Sequence, residues 1–193
     1  YNAHRQHPDL KLFEFGNCYY YHGEREARYP LDKYREEFHL ALLITGKRYE
    51  PNWASREAFT SFYQLKAYLE NILTRLGVKI EALLTEPMHD KNDLFSEGLS
   101  YRSNSLLLAE LAIVNQTVQK DFDLRNEVYY AWVHWDNLMK ARGNHRIIHH
   151  ELPKVPEVRS DLSLLLDKAV TFAQIRDIAY KTERKLLTRI NLF

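Results

Sequence analysis

The stretch SFYQLKAYLENILTRLG, Ser61–Gly77, decides the reading of this chain. Phe62, Leu65, Leu69, Ile72, Leu73 and Leu76 recur at helical spacing, and Gln64, Lys66, Glu70, Asn71 and Arg75 fill the opposite face. The spacing predicts an amphipathic helix that lays one apolar stripe on a sheet. Ser61 with Gln64 has the pattern of a capping box, and Gly77 can take the left-handed conformation that ends a helix. Burying the stripe is worth about 9 to 18 kcal/mol, an upper bound because the unfolded chain already hides part of that surface.

Upstream, LKLFEFGNCYYY, Leu10–Tyr21, alternates Leu10, Leu12 and Glu14 against Lys11, Phe13 and Phe15 and reads as a long strand, with Gly16 a bulge or point of close approach. EFHLALLITG, Glu37–Gly46, is nearly continuous in apolar residues and reads as a buried strand paired antiparallel to the first. Downstream, Val78–Thr85 reads as a third strand and Leu106–Val114 as a further apolar run, followed by a short helix or turn over Asn115–Phe122. EVYYAWVHW, Glu127–Trp135, reads as a strand with Val128, Tyr130, Trp132 and His134 on one face and Tyr129, Ala131, Val133 and Trp135 on the other. Asp136 is placed to cap a short helix through Ala141. The resulting expectation is an α+β fold: a mainly antiparallel sheet with helices on one side.

Gly143–Pro156, with Pro153 and Pro156, reads as a connection between domains, which divides the chain into 1–150 and 151–193. Beyond it, Arg159–Asp167 reads as a strand. Thr171 with Gln174 forms a second capping-box pattern opening a helix to about Lys185, with Phe172, Ile175, Ile178, Ala179 and Thr182 inward; Leu186–Phe193 reads as another strand. That strand, helix, strand order starts a unit the sequence does not complete.

Composition narrows the function classes. Lys plus Arg total 27 against 26 Asp plus Glu, a net charge of +1, so no global field gathers nucleic acid or anionic membrane. One cysteine, Cys18, excludes an internal disulfide and fits a reducing cytosol. No apolar run of about 18 residues occurs, and a soluble, cytoplasmic chain is expected.

The chain holds six glycines, none close to another, so phosphate-cradling loops of the Walker or Rossmann kind are missing and no catalytic or cofactor-binding residue is expected. His145, His149 and His150 have the spacing of metal ligands, but read as solvated linker residues, and no metal is expected. His39 reads as a hydrogen-bonded structural histidine, Cys18 as a small strand residue and Glu14 as a buried, hydrogen-bonded carboxylate. Lys154–Arg189 carries eight basic against five acidic residues, and Arg176, Lys181, Arg184 and Lys185 are candidate contacts to RNA phosphates.

The run LPKVPEVRSDLSLLLDKAVTFAQI, Leu152–Ile175, resembles the opening of the ferredoxin-like anticodon-binding domain of bacterial-type phenylalanyl-tRNA synthetase beta subunits, through Val158, Arg159, Asp161, Leu162, Asp167, Val170 and Ile175. LKLFEFG, LLITGKRYEPNW, FYQLKAYLENILTRLG and KDFDLRNEVYYAWVHWDNL resemble successive segments of the same family in the same order. Ser96–Arg102 departs from the family's His-Pro-Gly-Arg pattern, so that loop is assigned no role.

The resemblance implies a non-catalytic class II synthetase-like core followed by the first half of an anticodon-binding domain. It further implies an alpha subunit as partner, an α2β2 assembly, tRNA(Phe) bound through the parent chain, and ATP with magnesium used by the holoenzyme in joining phenylalanine to tRNA. Two other classes stand beside it: a stand-alone pseudo-synthetase or RNA-binding adaptor, and a hydrolase with histidine-bound metal, which would carry stoichiometric metal.

Overall fold

The computed structural model describes residues 7–23, 29–50, 52–54, 56–88, 93–142 and 156–192. The chain divides into two compact units, Tyr1–Ile147 and Ile148–Phe193. The first is built on a six-stranded antiparallel sheet in the order β1-β2-β6-β5-β4-β3. Its strands are β1 Leu10–Tyr21, β2 Tyr34–Thr45, β3 Leu84–Pro87, β4 Phe95–Ser103, β5 Leu106–Val114 and β6 Val128–His134. The helices are α1 Phe62–Arg75, α2 Gln116–Asp121 and α3 Trp135–Ala141.

β1 and β2 pair over twelve residues without interruption, from Leu10↔Thr45 to Tyr21↔Tyr34, as their alternation predicts. Gly16 is therefore not a bulge. It faces His39 in unbroken register, and a Cβ there would meet nothing within 4 Å.

α1 begins and ends where its sequence signals place it. The Ser61 hydroxyl accepts a hydrogen bond from the Gln64 backbone N–H at 3.3 Å, and Gly77 has φ +88°. Only half of the predicted box forms, because the Gln64 side chain turns to donate to the Tyr68 hydroxyl at 2.6 Å. Leu65, Leu69 and Leu73 are completely buried, with Phe62, Ile72 and Leu76 packed around them. They meet Ile44, Leu111, Tyr129, Ala131 and Val133 of the sheet, and Leu138 of α3 joins the same core.

Four local expectations are corrected. Val78–Thr85 is not one strand: a 3-10 turn occupies Ile80–Ala82, and β3 begins only at Leu84. Ser96–Arg102 is no loop but most of β4, held between β3 and β5 on both edges. Asp136 lies in the first turn of α3, whose N-cap is His134 with no side-chain cap. Glu14 is exposed on the edge strand instead of buried.

In the second unit, α4 spans Phe172–Thr182 and opens with the predicted capping box, Thr171 and Gln174 satisfying each other's backbone N–H groups. Neither Arg159–Asp167 nor Leu186–Leu192 is a strand. A strand requires a neighbour to take its N–H and C=O groups, and the described residues of this unit offer none. α4 accordingly buries no residue, and Ile178 and Thr182, expected inward, are exposed.

Candidate functional site

Antiparallel pairing sends alternate side chains to opposite faces, so the register fixes what lies on the face away from α1. On β2 these are Arg35, Glu37, His39 and Ala41; on β6, Tyr130, Trp132 and His134. β5 adds Glu110 and Ala112, and β4 adds Ser100 and Gly98.

Two groups form there. One is aromatic: Phe95 stacks on Tyr130 at 6.0 Å and 13° and on Trp132 at 5.4 Å and 26°. Beside it the Ser100 hydroxyl donates to Glu110 Oε1 at 3.0 Å. Burial raises the pKa of the Tyr130 phenol above its ordinary value.

The other group is polar. His39 is 8% exposed and its Nε2 lies 3.1 Å from Glu37 Oε2, which fits the structural histidine read from the sequence. His39 also pairs in register with His134, and their rings meet edge to face at 4.6 Å. His134 Nδ1 stands 3.9 Å from the same Glu37 oxygen, beyond hydrogen-bond range, and its Nε2 is buried with no partner among the described residues. Arg35 pairs with the other oxygen of Glu37, Oε1.

Burial lowers the pKa of both imidazoles. That of His134 is pushed down to about 4 by desolvation, then by His39 and Arg35, whereas Asp136 partly offsets the burial of His39. Burial thus favours the neutral form of both rings, and in a neutral His39 it is Nε2–H that donates to the Glu37 carboxylate. The face carries imidazole nitrogen and carboxylate oxygen in one group and a stacked aromatic cluster in the other.

The sequence reading missed this convergence. Its local trace is the Glu37-x-His39 alternation, which puts both on one face, with His134 on the Tyr130 and Trp132 face of β6. Which faces coincide depends on the β2–β6 register, a long-range fact. His145, His149 and His150 lie outside the described residues. Cys18 is an exposed strand residue.

Of the RNA-contact candidates, Arg176 and Lys181 stand on α4 and Arg184 and Lys185 follow it. Arg176 pairs with Asp177 at 3.4 Å. Among these cations the Glu183 carboxylate accepts hydrogen bonds from the backbone N–H groups of Lys185 and Leu186 at 2.8 and 2.9 Å, which lowers its pKa.

Comparison with known proteins adds sequence kinship to this geometry. The model of the phenylalanyl tRNA synthetase beta chain CLM domain matches residues 1–135. The phenylalanine–tRNA ligase beta subunits of Bacteroides thetaiotaomicron and Porphyromonas gingivalis are 45% and 38% identical over 195 residues, covering 100% of this chain and 24% of each relative. That of Listeria monocytogenes is 30% identical over 198 residues, 23% of its length. A pyrrolysyl tRNA synthetase from Desulfitobacterium hafniense aligns with a TM-score of 0.43 at 16% identity, covering 68% of this chain and 41% of that one.

Proposed function

The chain belongs to the phenylalanyl-tRNA synthetase beta chain family, and from that premise we propose that it is an architectural part of a phenylalanine–tRNA ligase, docking the alpha subunit while catalysis resides in that partner. Residues 1–150 act as a non-catalytic class II synthetase-like core, and 151–193 open a ferredoxin-like anticodon-binding domain. The parent assembly is an α2β2 heterotetramer of the cytoplasm that joins phenylalanine to tRNA(Phe) with ATP and magnesium. Arg176, Lys181, Arg184 and Lys185 contribute contacts to tRNA phosphates.

The observation that carries the docking role is the apolar dress of β1. Phe13, Tyr19 and Tyr21 share the α1-side face of this edge strand and are 77%, 65% and 63% exposed. An apolar groove of about 250 Å³ adjoins Phe13, lined by that ring with Leu42, Ile44, Tyr68 and Ile72. Large exposed aromatic side chains gathered on one edge are the composition of an interface core.

Size-exclusion chromatography with light scattering tests the reading on the parent beta chain mixed with the alpha subunit of the same organism. The unaltered chains are expected to co-elute. Phe13→Glu with Tyr19→Glu is expected to release the alpha subunit while the melting temperature of the beta chain stays within a degree or two. Co-elution unchanged by both substitutions would remove β1 from the interface.

A further inference from the structure

We propose that Glu37, His39 and His134 form a divalent-cation site, suited to zinc, on the sheet face away from α1. The donor set is two imidazole nitrogens and one carboxylate oxygen, which Zn²⁺ accepts in tetrahedral sites that keep a fourth position for water. The three side chains each offer one ligand atom, and these atoms lie within 4.8 Å of one another.

The spacing about Glu37 Oε2 is near what an ion requires. Bonds of about 2.0 to 2.2 Å at tetrahedral angles put neighbouring ligand atoms roughly 3.3 to 3.6 Å apart. Here His39 Nε2 and His134 Nδ1 stand 3.1 and 3.9 Å from Glu37 Oε2, on either side of that value. The backbone positions are fixed by the sheet: Glu37 and His39 are successive same-face residues of β2, and His134 is the registered partner of His39 on β6. The third separation, between the two imidazole nitrogens, is within 4.8 Å, so binding an ion requires the side chains to rotate inward.

Three further features favour binding. The side chains of Glu37 and His134 are 19% and 21% exposed, so an ion can enter from solvent and retain a water. Arg35 holds Oε1 of Glu37 and thereby turns Oε2 toward the imidazoles, as outer partners orient ligating carboxylates in metal sites. His134 Nδ1 faces Glu37 from outside hydrogen-bond range, so that nitrogen is held toward the carboxylate without a bond to it, and a metal ion between them would supply one.

The test uses the whole chain, stripped with chelator and titrated with Co²⁺ followed by visible absorption and with Zn²⁺ by calorimetry. The chain and a His145→Asn, His149→Asn, His150→Asn triple variant are both expected to bind one equivalent and to give the ligand-field bands of four-coordinate cobalt. His134→Asn and Glu37→Gln are each expected to weaken binding by more than about tenfold, a loss of the size seen on disturbing metal-site partners. Circular dichroism identical to the unaltered chain shows that the fold is kept. Featureless cobalt spectra, unchanged affinity in both single variants, or loss of binding in the triple variant would each overturn the proposal. None of these readouts depends on the alpha subunit.

Discussion

Tyr101 of β4 donates its hydroxyl to Glu70 Oε1 of α1 at 2.7 Å, and the same oxygen receives Lys66 Nζ at 2.5 Å. Tyr101 is completely buried, so the bond ties the helix to a strand on the far side of the sheet from β1. Burial and the facing carboxylate raise the phenol's pKa, which keeps it a donor at any physiological pH. Tyr101→Phe keeps the ring and removes the bond. Because Lys66 still neutralises Glu70, the expected loss is about 1 to 2 kcal/mol, read as a lower urea midpoint at unchanged slope. An unaltered midpoint would mean that this bond contributes nothing.

The two strand glycines should respond to alanine with opposite signs. At Gly98 an added Cβ would lie 2.8 Å from the Leu111 carbonyl oxygen and 3.0 Å from Ala112 Cβ, so Gly98→Ala is expected to cost about 1 to 3 kcal/mol. At Gly16 the methyl meets open space, and Gly16→Ala is expected to stabilise by about 0.4 to 1 kcal/mol by restricting the unfolded chain. Thermal denaturation of the two variants side by side checks the pair.

Tyr129 should add an alkaline limb to the stability profile. The side chain is 5% exposed, its hydroxyl donates to Glu127 Oε2 at 2.5 Å, and burial followed by that bond pushes its pKa up to about 12. Unfolding returns the phenol to about 10. The folded value is the higher one, so its contribution is complete below about pH 10 and is lost as the pH rises to about 12, up to about 2 to 3 kcal/mol. The stability advantage of the unaltered chain over Tyr129→Phe should therefore shrink across that window. A constant difference would contradict the assignment.

Hydrogen exchange should separate the two long helices. α1 buries Leu65, Leu69 and Leu73, whereas α4 buries no residue. Local opening costs little where few apolar contacts break, so the amides of Phe172–Thr182 should exchange well before those of Phe62–Arg75. Equal protection would show that α4 gains cover the described residues do not provide.

β1, β6 and α1 were legible because each carries its period within its own segment, and β2 because its apolar run is nearly continuous. Leu65, Leu69 and Leu73 announce the helix, and the Tyr129, Ala131, Val133 alternation sorts both faces of β6. β4 was not, because FSEGLSYRS is short of apolar residues and becomes a strand only by pairing with β3 and β5. The strands expected at Arg159–Asp167 and Leu186–Phe193 failed for the converse reason: Leu162, Leu164 and Leu166 alternate well, but alternation without a neighbour leaves backbone groups to water. The Glu37, His39 and His134 cluster was half visible. His39 was identified as hydrogen bonded, but its cross-strand partner is set by register, which no local pattern encodes.

The sheet's two borders are unequal, and this limits how the molecule can associate. β3 is four residues long and ends in Pro87, which has no N–H to give a neighbour, so that border is a stop. β1 is twelve residues long and carries its backbone groups along the other border. If copies meet strand to strand, β1 against β1, one two-fold operation uses up the long border of the sheet among the described residues and leaves two blunted ends facing outward. Such growth closes at a pair instead of running on as a fibre. A partner of another kind on β1 would occupy the same place, so capping by a partner and pairing with self become mutually exclusive states of a single strand.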